Sequence, residues 1–221
     1  MNNSSSIIEL FPIPIYRAYL PKELSVVCNH FNGLKHWSGD GRTDITDYNN
    51  YGTHSDDTYV LDNPECEDFA KTVMHHVDLY NEESLGYKNK EWVFSQTWVS
   101  HKHPGQQHAQ HTHPNSIISA VFFYGEMGDD TSKIIFHQPS LHSKVDTIQI
   151  HTKQEEKYAW RSAGISFDFQ PGTLLIFPSF LPHSVPENKT RLVRKSLSMN
   201  IVPKYGFGDK RMLTELLFER F

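Results

Sequence analysis

The stretch His108-Ala-Gln-His-Thr-His-Pro-Asn-Ser-Ile-Ile-Ser-Ala-Val-Phe-Phe-Tyr124 joins a group of histidines to a run of β-branched and aromatic residues. Its apolar part, residues 117–124, has the composition of a strand. His111 and His113 stand two residues apart where this strand begins, and residues i and i+2 of an extended chain point to the same face. Two imidazoles on one face can bind a single ion of iron, zinc, copper or nickel, so the stretch predicts a metal site.

Short strands separated by turn residues surround this stretch. Residues 91–100 alternate with a period of two, which predicts a strand with one face made of Trp92, Phe94, Gln96 and Trp98. Further strands are predicted over 117–124, 133–137, 145–151, 165–169, 172–177 and 193–202. Because no helices lie between them, the pattern favours a mainly β (α+β) fold built on an antiparallel sandwich or barrel.

The N-terminal part of the chain has a different pattern. Residues 7–20 are extended with prolines at the edges, and residues 21–31 predict a short helix with proline at its first position. Residues 33–58 are rich in Gly, Asp, Asn and Ser, which indicates a loop. Asn63 is a candidate N-cap, followed by Pro64 and by apolar residues at helical spacing as far as Tyr80.

The C-terminal residues 210–221 combine apolar and charged residues in a pattern that predicts a short amphipathic helix. With 221 residues the chain is long enough for one ordinary domain. We therefore expect a single domain over 1–221. It would comprise flanking elements over 1–90, a β core over 91–203 and a C-terminal helix over 204–221.

A second histidine-bearing stretch is Pro171-Gly-Thr-Leu-Leu-Ile-Phe-Pro-Ser-Phe-Leu-Pro-His-Ser-Val185. It predicts a buried strand and a turn, followed by His183. A lone histidine there is more often structural, but the pair His111 and His113 needs a third ligand, and this favours His183 in that role. Three protein ligands on one side of an ion leave other positions open for a substrate and oxygen.

Arg194 begins an alternating strand eleven residues after His183. Its polar face carries Arg194, Ser196, Ser198 and Asn200. Such a face usually points to water, but it can also line a cavity. An arginine inside a cavity needs an anionic partner, and a dicarboxylate could bind the guanidinium through two hydrogen bonds.

Together these motifs resemble those of the non-haem Fe(II), 2-oxoglutarate-dependent oxygenases, and most closely a small group from bacteria and bacterial viruses. The motifs are His111-Thr-His-Pro-Asn-Ser-Ile-Ile-Ser119, Gly172-Thr-Leu-Leu-Ile-Phe-Pro-Ser-Phe-Leu-Pro-His-Ser-Val185 and Arg194-Lys-Ser-Leu-Ser-Met-Asn200. The resemblance covers residues 91–203, and the segment 11–16 is also similar. It implies a double-stranded β-helix core, which is the cupin-like jelly roll.

The resemblance also implies a ligand set. Fe(II) would be bound by His111, His113 and His183, with 2-oxoglutarate as cosubstrate. Its distal carboxylate would be bound by Arg194 and Ser196. Related enzymes place cosubstrate-contacting residues on the strand before the first metal histidine, where this chain has Gln96 and Trp98. The implied reaction is hydroxylation of an unidentified substrate by a dioxygenase that releases succinate and carbon dioxide.

This sequence departs from the wider superfamily at His113, where an aspartate or glutamate is usual. The replacement removes one negative charge from the iron site and should weaken Fe(II) binding. A carboxylate from elsewhere, such as Asp168 or Asp130, could still complete the site, and His108 could replace one of the histidine pair. Two alternative functions stay open: a cupin-like three-histidine enzyme without 2-oxoglutarate, and a binding protein that keeps the fold without turnover.

Composition narrows the remaining options. The formal charge of −5 gives no basic surface for nucleic acid, and no apolar run approaches the roughly 18 residues of a membrane helix. The start of the chain lacks the features of a signal peptide, and two cysteines form no framework, so we expect a cytoplasmic protein. The expected substrate is a small molecule or a protein side chain. The oligomeric state is open, with a homodimer among the options.

Overall fold

The computed structural model describes residues 12–38, 52–88, 91–126, 133–139, 164–167 and 169–218. The α-helices of the described residues are α1 (Glu23–Gly33) and α2 (Glu67–Tyr80), with short 3₁₀ helices at Val60–Asp62 and Pro64–Cys66 and a π-helical turn at Asn81–Leu85. The strands are β1 (Tyr16–Tyr19), β2 (His36–Ser38), β3 (Thr53–Ser55), β4 (Trp92–Lys102), β5 (His108–His111), β6 (Ile118–Phe123), β7 (Ile134–His137), β8 (Gly164–Phe167), β9 (Thr173–Pro178), β10 (His183–Val185), β11 (Arg194–Pro203), β12 (Gly206–Phe207) and β13 (Leu216–Leu217).

Two antiparallel sheets form the body of the protein. The large sheet has the strand order β1-β9-β6-β11-β4-β3-β2, and the small sheet has the order β5-β10-β7-β8. Every pair of neighbouring strands in both sheets is antiparallel. Two facing antiparallel sheets are the arrangement of a jelly roll, so the predicted fold class is confirmed.

Both faces of the large sheet are buried, because successive side chains along its strands point into two different apolar clusters. On one face, side chains such as Phe122, Leu197 and Ile176 pack with Phe31 of α1 and Phe69 of α2. On the other face, side chains of the large sheet pack with those of the small sheet. This inner cluster contains Val121, Phe123, Leu175, Phe177, Ile134, Phe136 and Leu181. The helices therefore cover the outer face, and the inner face is left for the interior of the sandwich.

A bulge in β4 corrects one prediction. Asn200 of β11 pairs with Gln96, whereas Ile201 pairs with Phe94, so Ser95 is an extra residue in β4. An extra residue reverses the alternation of side chains. Phe94 and Trp92 therefore pack into the helix-side core, while Gln96 lies on the inner face, and the four residues predicted on one face are divided between two.

Most predicted elements are present, with differences at the ends of the chain. The helix from Pro64 to Tyr80 begins with a 3₁₀ turn, and Asn63 caps it by accepting a hydrogen bond from the Glu65 backbone N–H. The loop predicted over 33–58 contains the short strands β2 and β3. The strand predicted over 145–151 lies outside the described residues. Within the described ranges, no helix is both long and apolar enough to cross a bilayer.

The predicted C-terminal helix over 204–221 is wrong for residues 204–218, where the chain forms the hairpin of β12 and β13. Gly206 and Gly208 have φ values of +119° and +89°, in the left-handed region that an α-helix does not use. Between the strands, the Asp209 carboxylate accepts hydrogen bonds from the backbone N–H groups of Arg211 and Met212. These side-chain hydrogen bonds stabilise a turn in place of a helix, and the spacing of apolar residues does not reveal them.

Candidate metal centre

Three histidines meet at the edge of the small sheet. His111 is the last residue of β5 and His183 the first residue of β10, and these two residues are directly opposite each other in the antiparallel pair. His113 lies two residues beyond β5, and its backbone N–H donates to the Ser179 carbonyl at 3.0 Å. Strand pairing therefore brings His183 to the H-x-H pair across about 70 residues of sequence, as the two histidine motifs predict.

The nitrogen atoms of these rings converge. One nitrogen from each of His111, His113 and His183 lies within 4.8 Å of the others. The Nε2 atoms of His113 and His183 are 3.2 Å apart. Two imidazole nitrogens that each lie about 2.1 Å from one ion, at roughly right angles, have about this separation. The geometry therefore fits a single metal ion.

The opposite nitrogen of each ring has a hydrogen-bond acceptor. Nδ1 of His111 and Nδ1 of His183 lie 2.9 Å and 3.0 Å from the backbone carbonyl two residues earlier in the chain. Nδ1 of His113 lies 2.6 Å from the side-chain oxygen of Asn200. Since a carbonyl oxygen only accepts, each Nδ1 carries the hydrogen and each Nε2 presents a lone pair. The lone pairs of His113 and His183 then face each other, an arrangement that a cation between them stabilises.

Burial keeps these rings neutral. It lowers the pKa of His113 to about 4 and that of His183 to about 3, and it also lowers the pKa of His111. The charge of neighbouring histidines lowers the pKa of His113 and His183 further. At neutral pH all three rings are therefore unprotonated at Nε2, which is the state that binds a metal ion.

Of the residues that the structure describes, the ligand group contains these three histidines and no carboxylate. Asp130 and Asp168, the two carboxylates considered from the sequence, lie outside the described residues. His108, considered as a replacement ligand, stacks on His111 with ring centroids 4.0 Å apart and does not join the group. The described donor set is thus three neutral imidazoles, which suits a borderline divalent metal such as iron, nickel or zinc.

The polar face of β11 points to the inside of the sandwich. Arg194 is 2% exposed, and its guanidinium lies 5.0 Å from the centre of the Phe123 ring in the inner cluster. Its NH1 donates to Ser196 Oγ at 3.4 Å, and burial lowers the pKa of Arg194 to about 10. Leu197 and Met199 face the helices instead. The alternation predicted for this strand is therefore present, with its polar side in the interior rather than in water.

The two predicted residues of β4 differ in their surroundings. Trp98 stacks on the His113 ring, with centroids 5.8 Å apart and an angle of 24° between the planes. Gln96 pairs with Asn200 across the sheet and is exposed. The structure therefore brings Trp98 to the metal centre and leaves Gln96 exposed beside Asn200.

Sequence reasoning missed Lys102, which lies directly opposite Arg194 in the pairing of β4 with β11. Lys102 is 1% exposed, and burial together with the charge of Arg194 lowers the pKa of its ammonium group to about 7. Gly52 packs so closely against the Lys102 side chain that a Cβ at this position would clash with it. The signal in the sequence was the alternation of β4, which continues from Gln96 through Trp98 and Ser100 to Lys102.

Comparison with known proteins agrees with the motifs. A sequence profile described as "Putative 2OG-Fe(II) oxygenase" matches residues 96–200, a range that includes every predicted site residue. The resemblance found in the three motifs is thus confirmed at the level of the superfamily. No curated protein matches the sequence significantly.

Solved structures of low sequence identity share the fold. An oxidoreductase of the 2OG-Fe(II) oxygenase family from Burkholderia pseudomallei is 12% identical with a TM-score of 0.57, covering 86% of this chain and 84% of that one. HygX from Streptomyces hygroscopicus, crystallised with nickel and 2-oxoglutarate, is 7% identical with a TM-score of 0.57 and coverages of 88% and 84%. The epimerase SnoN, in complex with Fe3+, alpha ketoglutarate and nogalamycin RO, is 12% identical with a TM-score of 0.59 and coverages of 92% and 86%.

Proposed function

Because residues 96–200 carry the sequence pattern of the 2OG-Fe(II) oxygenases, we propose that this protein is an Fe(II)- and 2-oxoglutarate-dependent dioxygenase. It hydroxylates a small molecule or a protein side chain and releases succinate and carbon dioxide. The observation that carries the proposal is the convergence of three neutral histidine nitrogens on the same interior face as a buried arginine.

The residues have distinct tasks in this function. The metal is held through the Nε2 atoms of His111, His113 and His183, since each Nδ1–H group donates a hydrogen bond to a carbonyl oxygen. The bound iron and 2-oxoglutarate supply the oxidising chemistry, which amino-acid side chains cannot perform alone. Trp98 covers one face of the His113 ring and limits the access of water to that ligand.

Arg194 binds the distal carboxylate of the cosubstrate, and Ser196 adds a hydroxyl donor beside it. Arginine suits this task because its planar guanidinium can give a carboxylate two parallel hydrogen bonds. Lys102 is a second cation on the opposite strand, and an anion between the two would offset the repulsion that lowers the pKa of Lys102. Gln96, which is exposed and pairs with Asn200, contacts the cosubstrate or the substrate.

A three-histidine metal enzyme that does not use 2-oxoglutarate is the second candidate. It is favoured by one observation: within the described ranges, no carboxylate belongs to the ligand group. Such an enzyme would have no use for a carboxylate pocket around Arg194. Binding of 2-oxoglutarate therefore separates the two functions.

The test is an anaerobic titration. The protein is loaded with Fe(II), 2-oxoglutarate is added, and the weak visible absorption band of the metal chelate is followed. We expect a saturable band that is lost in His183→Ala and in Arg194→Met. His75→Ala is the matched control, because His75 is an exposed histidine on α2, and it should leave the band unchanged.

Tight metal binding without a band would reject the 2-oxoglutarate function and favour the three-histidine enzyme or the binding protein. A band without succinate formation in air, in the presence of candidate substrates, would instead favour a binding protein that retains the cosubstrate pocket.

A further inference from the structure

The three histidines differ in how their outer nitrogen is held. In His111 and His183 the acceptor is a backbone carbonyl two residues earlier, so these contacts come with the local chain conformation. In His113 the outer contact is not local. Its Nδ1 hydrogen goes to the side chain of Asn200, 87 residues further along the sequence. Of the three outer contacts, this is the one that depends on the identity of a side chain.

Asn200 is well placed to orient a neighbour. It is buried, and it lies in the interior of the large sheet, where β11 pairs with Gln96 of β4 on one side and Ser119 of β6 on the other. Ser95, the extra residue of the bulge, donates its hydroxyl to the Asn200 backbone carbonyl at 3.3 Å. The backbone of Asn200 is thus fixed from both sides, and its amide reaches the His113 ring from a rigid strand.

The orientation of this amide decides which nitrogen of His113 can bind a metal. With the oxygen toward Nδ1, the ring hydrogen stays on Nδ1 and the Nε2 lone pair faces His183 at 3.2 Å. The reversed amide would place an N–H donor against Nδ1 and force the hydrogen onto Nε2, which would then have no lone pair for a metal. Trp98, stacked on the ring, limits rotation of the imidazole away from this position.

We propose that Asn200 is a positioning residue for the metal ligand His113. It selects the tautomer with a free Nε2 and connects the metal centre to the strand that carries Arg194. The proposal rests on the metal-binding part of the function above and not on the use of 2-oxoglutarate. It also assigns a purpose to the last polar residue of the Arg194 face.

Two substitutions separate this role from simple packing. Asn200→Leu keeps the approximate volume and removes the acceptor, so His113 loses its tautomer preference. Outer partners of metal-bound histidines commonly contribute a factor of about 10 to 100 in metal affinity. Asn200→Asp keeps the acceptor and adds a negative charge, which makes the imidazole a stronger donor and supplies outer-sphere charge to a neutral ligand set. We expect Asn200→Asp to bind metal more tightly than the natural protein.

The probe is Co(II), titrated without 2-oxoglutarate in competition with a chromophoric chelator, together with the visible absorption spectrum of the Co(II) complex. We expect about 10- to 100-fold weaker binding in Asn200→Leu. In Asn200→Asp we expect tighter binding than in the natural protein, with shifted absorption bands. Ser198→Ala is the matched control: Ser198 shares the face and the strand, and its change should alter the affinity by less than about twofold.

Unchanged affinity and unchanged bands in both Asn200 variants would overturn the proposal, as would a natural protein that binds no Co(II). If Asn200→Leu fails to fold, as judged by thermal unfolding of the metal-free form, the spectrum of Asn200→Asp alone decides: a spectrum identical to that of the natural protein rejects the role. Since no cosubstrate is present, a protein that binds Co(II) but never binds 2-oxoglutarate would reject the dioxygenase function and leave the role of Asn200 standing.

Discussion

Two histidine clusters lie on opposite sides of the large sheet, and they differ in what they can bind. On the inner face, the nitrogens of His111, His113 and His183 converge within 4.8 Å. On the helix side, the rings of His36 and His101 stack face to face with centroids 4.1 Å apart, and His101 Nε2 lies 2.9 Å from the Tyr124 hydroxyl oxygen.

Both clusters are neutral for the same reason. Burial lowers the pKa of His101 to about 3 and lowers that of His36, just as it does for the three inner histidines. In the outer pair, His101 Nε2 is engaged by the Tyr124 hydroxyl group, whereas in the inner group one nitrogen of each ring lies within 4.8 Å of the others. The comparison teaches that burial and a low pKa alone do not identify a metal site. A metal site is identified by nitrogen lone pairs that converge on one point.

The largest effect is expected when a ligand of the inner cluster is removed. His183→Ala should weaken Co(II) or Fe(II) binding by more than about 100-fold, since loss of an outer partner alone costs about 10- to 100-fold. His101→Phe should change metal affinity by less than about threefold, because its ring lies on the other face. Isothermal titration of both variants measures the difference. Equal losses in the two variants would mean that the clusters act together.

The next effect separates the cosubstrate from the metal. Arg194→Met should weaken binding of 2-oxoglutarate by about 30-fold or more and leave Co(II) affinity nearly unchanged, since removing one partner of a buried charge pair costs about 2–5 kcal/mol. Equilibrium titration of 2-oxoglutarate onto the metal-loaded protein measures it. A variant that loses metal and cosubstrate in proportion would place Arg194 in the metal centre instead.

Lys102 should give cosubstrate binding a pH dependence. Its pKa of about 7 in the free protein means that the ammonium loses its proton as pH rises through neutrality, so the affinity for a dianion should fall. Between about pH 6.5 and 8.5 the loss should reach about 25-fold, because each pH unit above the pKa lowers the protonated fraction about tenfold. The inner histidines with pKa values of about 3 and 4 titrate below this range.

The Lys102→Met variant should bind 2-oxoglutarate more weakly at pH 6.5, and its affinity should depend little on pH above that value. An unchanged pH profile in this variant would contradict a role of Lys102 in cosubstrate binding.

The smallest effect concerns the helix-side cluster and is one of stability. His101 has a folded pKa of about 3, below the usual value of about 6.5, so the unfolded chain binds more protons between these limits. His101 therefore favours folding above about pH 6.5, and this contribution is lost as pH falls toward 3. His101→Phe should make the metal-free protein less sensitive to acid, though about 1 kcal/mol less stable at pH 7 through the lost hydrogen bond to Tyr124. Thermal unfolding from pH 4 to 7 measures both effects.

Much of the fold could be predicted because it depends on local periodicity. Alternation in β4, β6, β9 and β11, and helical spacing after Asn63, reflect which face of each element is buried, and they are visible in any short window of sequence. The bulge at Ser95 could not be predicted, because one inserted residue becomes visible only when its partner strand is known. The same holds for the C-terminal hairpin, where Asp209 and two glycines form a turn that apolar spacing does not reveal.

By itself, the sequence determined the antiparallel jelly roll, the H-x-H pair with its distant third histidine, and the polar face that begins at Arg194. These follow from residue types at fixed spacing along single strands. Only the tertiary structure decided that Asn200 holds His113, that Lys102 faces Arg194, and that His101 belongs to a packing cluster rather than to the metal centre. Each of these facts is a contact between strands far apart in sequence, and such contacts depend on register and on the direction of side chains, which no single strand specifies.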